Sequence, residues 1–251
     1  MISLVYPYFE TPEMLEFQLS RWVKFPDDLK KELEFIIIDD GSPDRPADIP
    51  YFPYPNINLK LYRINENIVW NHPGAQNLGA HVATSEWIWS GAIDNVIPEG
   101  DMRAILSLDR SDPHTFYKFH DYNVGNPNQP GMHYAVNFLN REFYWKVGGY
   151  DEDFTGYWGA DDVCFEKRLI QQGGNRVEVP EHVAMMYVYD EGTIPGANTH
   201  AVTDSYGWVR GMNQRNKKMW QNKIKGKLPY GENPLRFTWR MVEEFKFSCR
   251  S

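Results

Sequence analysis

The hydrophobic pattern at the start of the chain switches between two periods. Ile2-Ser-Leu-Val-Tyr6 is a nearly unbroken apolar run, as in a strand buried on both faces, and Pro7 is expected to stop it. Thr11-Pro12-Glu13 then offers an N-cap and a proline for the first helical position. From Glu13 to about Lys24, Met14, Leu15, Leu19 and Trp22 fall near one helical face. A second apolar run, Leu33 to Ile38, ends in Asp39-Asp40-Gly41-Ser42. Strand, helix, strand in this order predicts a βαβ opening and therefore a parallel sheet.

The pattern continues with an irregular Pro-rich piece, Pro43 to Pro55, a third strand from Leu59 to Ile64, and a helix from Pro73 to Ala83. A strand is expected over Trp87 to Ile93, which puts Asp94 at its carboxyl end, the edge where open α/β sheets bind ligands. Beyond Gly100 the runs shorten. A loop is expected at Asn123–Gly131, a strand at Tyr134 to Leu139, and a helix start near Arg141. Asp161 to about Gln172 reads as a helix with Val163, Phe165, Leu169 and Ile170 inward, ended by Gly173-Gly174. From Pro195 the chain is polar and mixed, with a basic run between Arg210 and Lys227.

At 251 residues the chain can bury a substantial core, and one compact α/β unit is expected. The net charge of -8 argues against a general nucleic-acid binder. Cys164 and Cys249 give neither a disulfide framework nor a zinc spacing, which favours a reducing compartment. No apolar run reaches the roughly 18 to 20 residues a bilayer span needs, and no signal-peptide pattern opens the chain, so a cytoplasmic location is expected. Aromatics make up 15% of the residues, a supply of flat surfaces for sugar-like ligands, although most belong in the core.

Three acidic spots recur at element ends: Asp39/Asp40, Asp94 and Asp161/Asp162. Singly, each fits helix capping or turn chemistry. Their order is more informative, because two lie in a nucleotide-binding type of half and the third follows a Gly- and aromatic-rich turn. Activating an acceptor hydroxyl needs such a carboxylate within hydrogen-bond reach.

Five segments then occur in order: Val5-Tyr-Pro-Tyr-Phe, IIIDDGS (Ile36 to Ser42), GAQNLGAHVATSEWIW (Gly74 to Trp89), AIDNVIP (Ala92 to Pro98) and VGGYDEDFTGYWGADD (Val147 to Asp162). Together they resemble the GT-A glycosyltransferases of family 2, over roughly residues 1 to 175, and the last is similar to the GWGGED region of β-1,4-galactosyltransferases. The resemblance implies an α/β GT-A (Rossmann-like) fold: a central, mostly parallel twisted sheet flanked by helices, with a smaller acceptor-side subregion. It implies a single domain, 1–251, with a nucleotide-sugar half (1–100), an acceptor and catalytic half (101–194) and a C-terminal extension (195–251).

By position, the resemblance implies that Pro7, Tyr8 and Phe9 border the nucleobase and that Asp40 accepts a hydrogen bond from base or ribose. Gln76 stands where many relatives have Arg, and Asp94 with Asn95 stands at the diphosphate and metal motif, where relatives usually have a further Asp. Asp162 matches the catalytic base, Asp161 the acceptor-binding acid, and Trp158 with Tyr157 the acceptor platform. The implied reaction is inverting transfer of a hexose or N-acetylhexosamine, with a uridine diphosphate donor and a glycan or glycoconjugate acceptor.

A divalent cation, Mn²⁺ or Mg²⁺, would meet the charge of the leaving diphosphate and would be held weakly by Asp94, with His200 or His182 as further candidates. Arg210, Arg215, Lys217 and Lys218 could instead cover the diphosphate, although a solvated helix face explains them as well. The extension could also contact a membrane surface. Two other readings compete: a GT-A domain that only binds a nucleotide-sugar or glycan, favoured by the incomplete acidic motif, and a nucleotidyltransferase. The latter would need a Gly-rich phosphate loop, which Tyr6-Pro-Tyr-Phe-Glu-Thr is not; the absence of GxGxxG there also sets aside a dinucleotide-binding enzyme.

Overall fold

Strands built from unbroken apolar runs need cover on both faces, and the first two have it. β1 (Ile2–Tyr8), α1 (Pro12–Trp22), the short α2 (Asp27–Lys30) and β2 (Leu33–Asp39) form the expected opening, with β1 and β2 parallel. Leu4, Tyr6, Phe35 and Ile37 face α1, where Trp22 stacks on Phe35 at 4.3 Å between ring centres. Ile36 and Ile38 face the other way, against Ala75 and Leu78. The computed structural model describes residues 1–49, 55–124, 131–189, 193–194 and 210–248, the side chains of 210–213 excepted. His200, Cys249, the Arg210 side chain, most of the loop at 123–131 and residues 195–209 of the C-terminal extension lie outside the described residues.

The chain continues through β3 (Asn58–Ile64), α3 (His72–Val82), β4 (Trp87–Ser90), β5 (Asn95–Val96), α4 (Glu99–Leu106), β6 (Thr115–Lys118), β7 (His120–Asn123), β8 (Gly131–Met132) and β9 (Asn137–Asn140). Then come α5 (Arg141–Lys146), a 3₁₀ turn at Glu152–Phe154, α6 (Asp161–Gln171), β10 (Asn175–Glu178), β11 (Met185–Val188), α7 (Arg210–Ile224) and β12 (Trp239–Phe245). The main sheet has eight strands in the order β10-β6-β9-β4-β1-β2-β3-β12, and β5-β11-β7-β8 form a second, smaller sheet. The run β4-β1-β2-β3 is parallel, flanked by antiparallel β9 and β12. Helices cover both faces, which makes the fold a mixed α/β sandwich. Among the described residues no helix is long and apolar enough to cross a membrane.

α1 and α3 lie on opposite faces of the sheet, and the crossovers β1-α1-β2 and β3-α3-β4 place β2 and β4 on either side of β1, so the strand order reverses there and a crevice opens at the carboxyl ends of β1 and β4. α3 packs tightly over β1. A Cβ at Gly79 would sit 2.1 Å from a Val5 methyl, so only glycine allows this approach.

Several expectations need correction. Pro7 does not end β1, because its missing N–H faces the β4 side, where β4 has already ended. Gly91 N–H donates to the Val5 carbonyl at 3.1 Å, and the next rung would be Pro7 N to the Gly91 carbonyl; Gln76 Nε2 supplies that donor at 2.5 Å. β4 stops at Ser90 rather than Ile93, because Asn95 Oδ1 accepts the Ala92 N–H at 2.8 Å and closes a turn that leads into β5. β9 starts at Asn137 rather than Tyr134, whose carbonyl is turned toward the buried Lys118 ammonium at 2.6 Å. On α6, Ile170 is exposed and Cys164 takes the inward position, since the buried stripe runs through 161, 164, 165 and 169. The polar C-terminal part contains β12, an edge strand antiparallel to β3.

Candidate active site

A cavity of about 520 Å³ opens at the carboxyl ends of β1, β2 and β4. Pro7 and Tyr8 at the end of β1 with Phe9 just after it, Asp40 after β2, and Ala92 to Asp94 after β4 form one wall. The opposite wall is Trp158 to Val163, the entry to α6, and α7 adds Lys217 and Trp220. Trp70, His72 and His133 complete the polar and aromatic lining.

On the first wall the two acids of the Asp39-Asp40 pair have different tasks. Asp39 is fully buried: its carboxylate accepts from Ser42 N–H at 2.9 Å and Ala47 N–H at 3.0 Å and pairs with Arg63 at 2.7 Å, which fixes the loop after β2. Asp40 faces the cavity and accepts from Asn71 Nδ2 at 3.0 Å. Burial, reinforced by the Asp39 charge, pushes its carboxyl up to about 8 despite the Asn71 bond. Tyr8 lines the cavity and donates its hydroxyl to the Arg45 carbonyl at 2.6 Å.

Asp94 lines the cavity, and burial raises its carboxyl to about 6. Asn95 and Gln76 are not part of the lining. Asn95 is fully buried, holds the 92–95 turn and donates Nδ2 to Asp94 Oδ1 at 3.1 Å. Gln76 is buried beneath the cavity floor, where its amide accepts from Ser90 Oγ at 2.9 Å and donates to Gly91.

The second wall is formed by the start of α6. Trp158 lines the cavity, is 40% exposed and forms a T-shaped pair with Trp70 at 6.5 Å between ring centres. Tyr157 is outside the lining, beneath the Arg215 guanidinium at 4.4 Å. Asn216, fully buried, donates to the carbonyls of Phe154, Tyr157 and Gly159 at 2.7 to 3.1 Å and so ties α7 to this wall. Asp161 and Asp162 occupy the first turn of α6, where the helix dipole favours carboxylates. Asp162 Oδ1 accepts from Val163 N–H at 2.7 Å; burial first, and then the Asp161 charge, push its carboxyl up to about 6. Behind it lies Lys118, fully buried, 3.5 Å from Glu166 and hydrogen-bonded to Asn137 at 3.1 Å. Desolvation brings the Lys118 ammonium down to about 8.

Ala160, just before α6, has φ +70°, a left-handed conformation that costs a non-glycine residue roughly 1 kcal/mol. Ala160→Gly is therefore expected to stabilise the fold by up to about 1 kcal/mol, net of the extra freedom glycine gains when unfolded. The urea midpoint reads this out; a lower midpoint in the variant would contradict the strain.

His72, His133, Trp70 and Trp220 were not singled out from the sequence. His72 carried a signal, since Asn71-His-Pro-Gly opens α3 and directs its first side chain toward the sheet edge. Of the basic run, Lys217 lines the cavity, whereas Arg215 is turned onto Tyr157 and Asp153. His182 is exposed and outside the lining. Among the described residues no group of three or more His, Cys, Asp or Glu could hold a metal ion. Among the described residues a cation at this cavity could take at most one or two protein carboxylates, with the rest of its shell left to other oxygens.

No family model and no curated protein sequence matches the chain. Solved structures do. The S. aureus TarS fragment 1–349 superposes with a TM-score of 0.60 at 16% identity, over 76% of this chain and 60% of that one. The mannosyltransferase PcManGT from Pyrobaculum calidifontis, in complex with GDP-Man and Mn²⁺, gives 0.55 at 18% identity over 80% and 59%. GalNAc-T7 with UDP, GalNAc and Mn²⁺ gives 0.59 at 15% identity over 76% and 44%. The likeness is one of fold, and the chain spans about 60% of the length of the TarS fragment.

Proposed function

We propose, from the GT-A glycosyltransferase fold and the cavity at its switch point, that the chain is an inverting glycosyltransferase that moves a hexose or N-acetylhexosamine from a UDP-sugar to a glycan hydroxyl. The observation that carries the reading is that Asp94 and the Asp161/Asp162 pair line one cavity together with Trp158, which is 40% exposed. The whole of 1–251 acts as one domain, with donor contacts from 1–100, acceptor contacts and base from 101–194, and Lys217 from the extension.

The donor nucleoside lies between Pro7, Tyr8 and Phe9 and bonds to Asp40, while the acceptor sugar stacks on Trp158. Asp162 takes the proton of the acceptor hydroxyl as its oxygen attacks the anomeric carbon. The bond from that carbon to the diphosphate breaks, and the nucleoside diphosphate leaves with the electron pair. Attack opposite to the departing bond inverts the anomeric centre. Lys217 offers a positive charge to the leaving group. A Mn²⁺ or Mg²⁺ held by Asp94 and the donor phosphates would add charge neutralisation there. The enzyme works in the cytoplasm, where nucleotide-sugars are available as donors.

Chelation with EDTA is expected to lower turnover about tenfold or more, with Mn²⁺ restoring it and Asp94→Asn mimicking the loss. Turnover indifferent to both would remove the cation from the scheme. The function itself is tested by a thermal-shift panel of nucleotide-sugars with and without Mn²⁺, followed by NMR of the product's anomeric centre. Stabilisation by UDP-sugars and an inverted linkage support the reading. Binding without transfer or donor hydrolysis would instead leave a nucleotide-sugar binding domain, the reading favoured by the absence, among the described residues, of a three-residue metal-binding group.

A further inference from the structure

His72 has no part in the scheme above, yet it bridges the two walls. Its Nδ1 lies 2.7 Å from Asp161 Oδ2, and its Nε2 lies 3.2 Å from the Gln76 amide nitrogen. The Gln76 amide cannot turn around. Its nitrogen must face the Gly91 carbonyl, the acceptor left without a backbone donor by Pro7, and its oxygen accepts the Ser90 hydroxyl. The remaining amide hydrogen therefore points at His72 Nε2, which must be the bare acceptor nitrogen. Nδ1 then carries the ring's proton and donates it to Asp161.

We infer that His72 is a positioning residue for the acid pair: Gln76 fixes its Nδ1–H tautomer, and that N–H occupies Asp161, so that Asp162 is the carboxylate left to act as base. The inference rests on the acceptor-side reading of Asp161 and Asp162. It gives Gln76, which stands beneath the floor of the donor side, a physical link to the opposite wall. The chain runs from Gly91 through Gln76 and His72 to Asp161.

The groups around His72 act in opposing directions. Burial disfavours the imidazolium, whereas the Asp161 bond and the charges of Asp161, Asp162 and Asp40 favour it, with a net upward shift. Asp94 and His133 also feel the imidazole charge. Protonating Nε2, however, would set it against the Gln76 NH₂ and force that amide away from Gly91, leaving a buried carbonyl without a donor. The amide thereby opposes the acids and keeps the ring neutral.

Two measurements test this separately. Long-range ¹H–¹⁵N NMR of ¹⁵N-histidine-labelled protein, at neutral pH and without ligand, should show the Nδ1–H tautomer for the resonance lost in His72→Asn. Gln76→Glu, which offers Nε2 an acceptor, should convert that ring to imidazolium. Finding Nε2–H or imidazolium in the wild type would overturn the inference whether or not a donor has been identified. In the transfer assay, His72→Ala should lower kcat/KM for the acceptor about 10- to 100-fold and shift the acid limb of the pH profile, with UDP binding unchanged. His72→Asn, whose amide can still donate to Asp161, should recover most of the loss. A wild type that transfers nothing defeats the functional reading alone. A working wild type with His72→Ala equal to it, or with His72→Asn no better than His72→Ala, defeats the positioning role.

Discussion

Asp162→Asn is expected to cut sugar transfer by about 10²- to 10⁴-fold while leaving nucleotide binding intact. The substitution keeps volume and shape, and the Asn carbonyl can still accept the Val163 N–H that now reaches Oδ1 at 2.7 Å. What disappears is the capacity to take a proton. Because burial and then Asp161 push the Asp162 carboxyl up to about 6, the wild-type rate should climb as pH rises through about 6. The shift has an opposite consequence for stability. A carboxyl raised above its unfolded value stabilises the fold fully below that value, near pH 4, and loses the contribution as pH rises through about 6. At neutral pH Asp162 is thus a strain on the fold, and the Asn variant should melt at the same temperature or higher. Near-normal transfer by the variant, or a wild-type rate that falls between pH 5 and 7, would remove Asp162 as the base.

The parts of this architecture legible in the chain are those whose signal is local. β1 and β2 announce themselves by apolar runs, and α1 by Pro12 and the stripe through Met14, Leu15, Leu19 and Trp22; all three form, although β1 runs on through Pro7 to Tyr8 and Thr11 makes no side-chain cap. Asp40, Asp94, Asp161 and Asp162 meet in one cavity because element ends converge at a sheet edge, which order along the chain foreshadows. Residues whose role is defined by a distant partner were not legible. Gln76 sits in a motif segment, but its task depends on a carbonyl that Pro7 leaves without a rung. Lys217 looks like one charge in a basic run until α7 is tied down by Asn216. β12 escapes notice because an edge strand tolerates charge: Arg240 and Glu244 are exposed, and the half-buried Glu243 interrupts the apolar alternation that Trp239 and Phe245 would show.

Asn77→Ala is expected to destabilise the protein by about 3–5 kcal/mol, a large fraction of the ~5–15 kcal/mol that holds an ordinary domain together. Asn77 is fully buried on α3 and its side chain bonds across to α5 and to the chain between α5 and α6. Its Oδ1 accepts from the Tyr144 hydroxyl at 2.7 Å and Tyr150 N–H at 2.9 Å, and its Nδ2 donates to the Tyr150 carbonyl at 3.0 Å and Glu152 Oε1 at 2.8 Å. Glu152 in turn accepts the backbone N–H groups of Leu235 at 2.7 Å and Arg236 at 3.2 Å, so the same amide also anchors the segment leading to β12. Alanine would strand a buried hydroxyl, a peptide group and a carboxylate, each costing about 1–3 kcal/mol unless water enters. Asn77→Asp separates packing from bonding: it keeps the acceptor but sets a carboxylate against Glu152, so its loss should be comparable near neutral pH and smaller in acid. Urea unfolding reads both, and a change below about 1 kcal/mol for the alanine variant would mean that the amide is not what joins these segments. The 3₁₀ turn at Glu152–Phe154 leads directly into Tyr157 to Asp161. An Asn77 variant that still folds should therefore lose acceptor affinity before donor affinity, although Asn77 does not itself line the cavity.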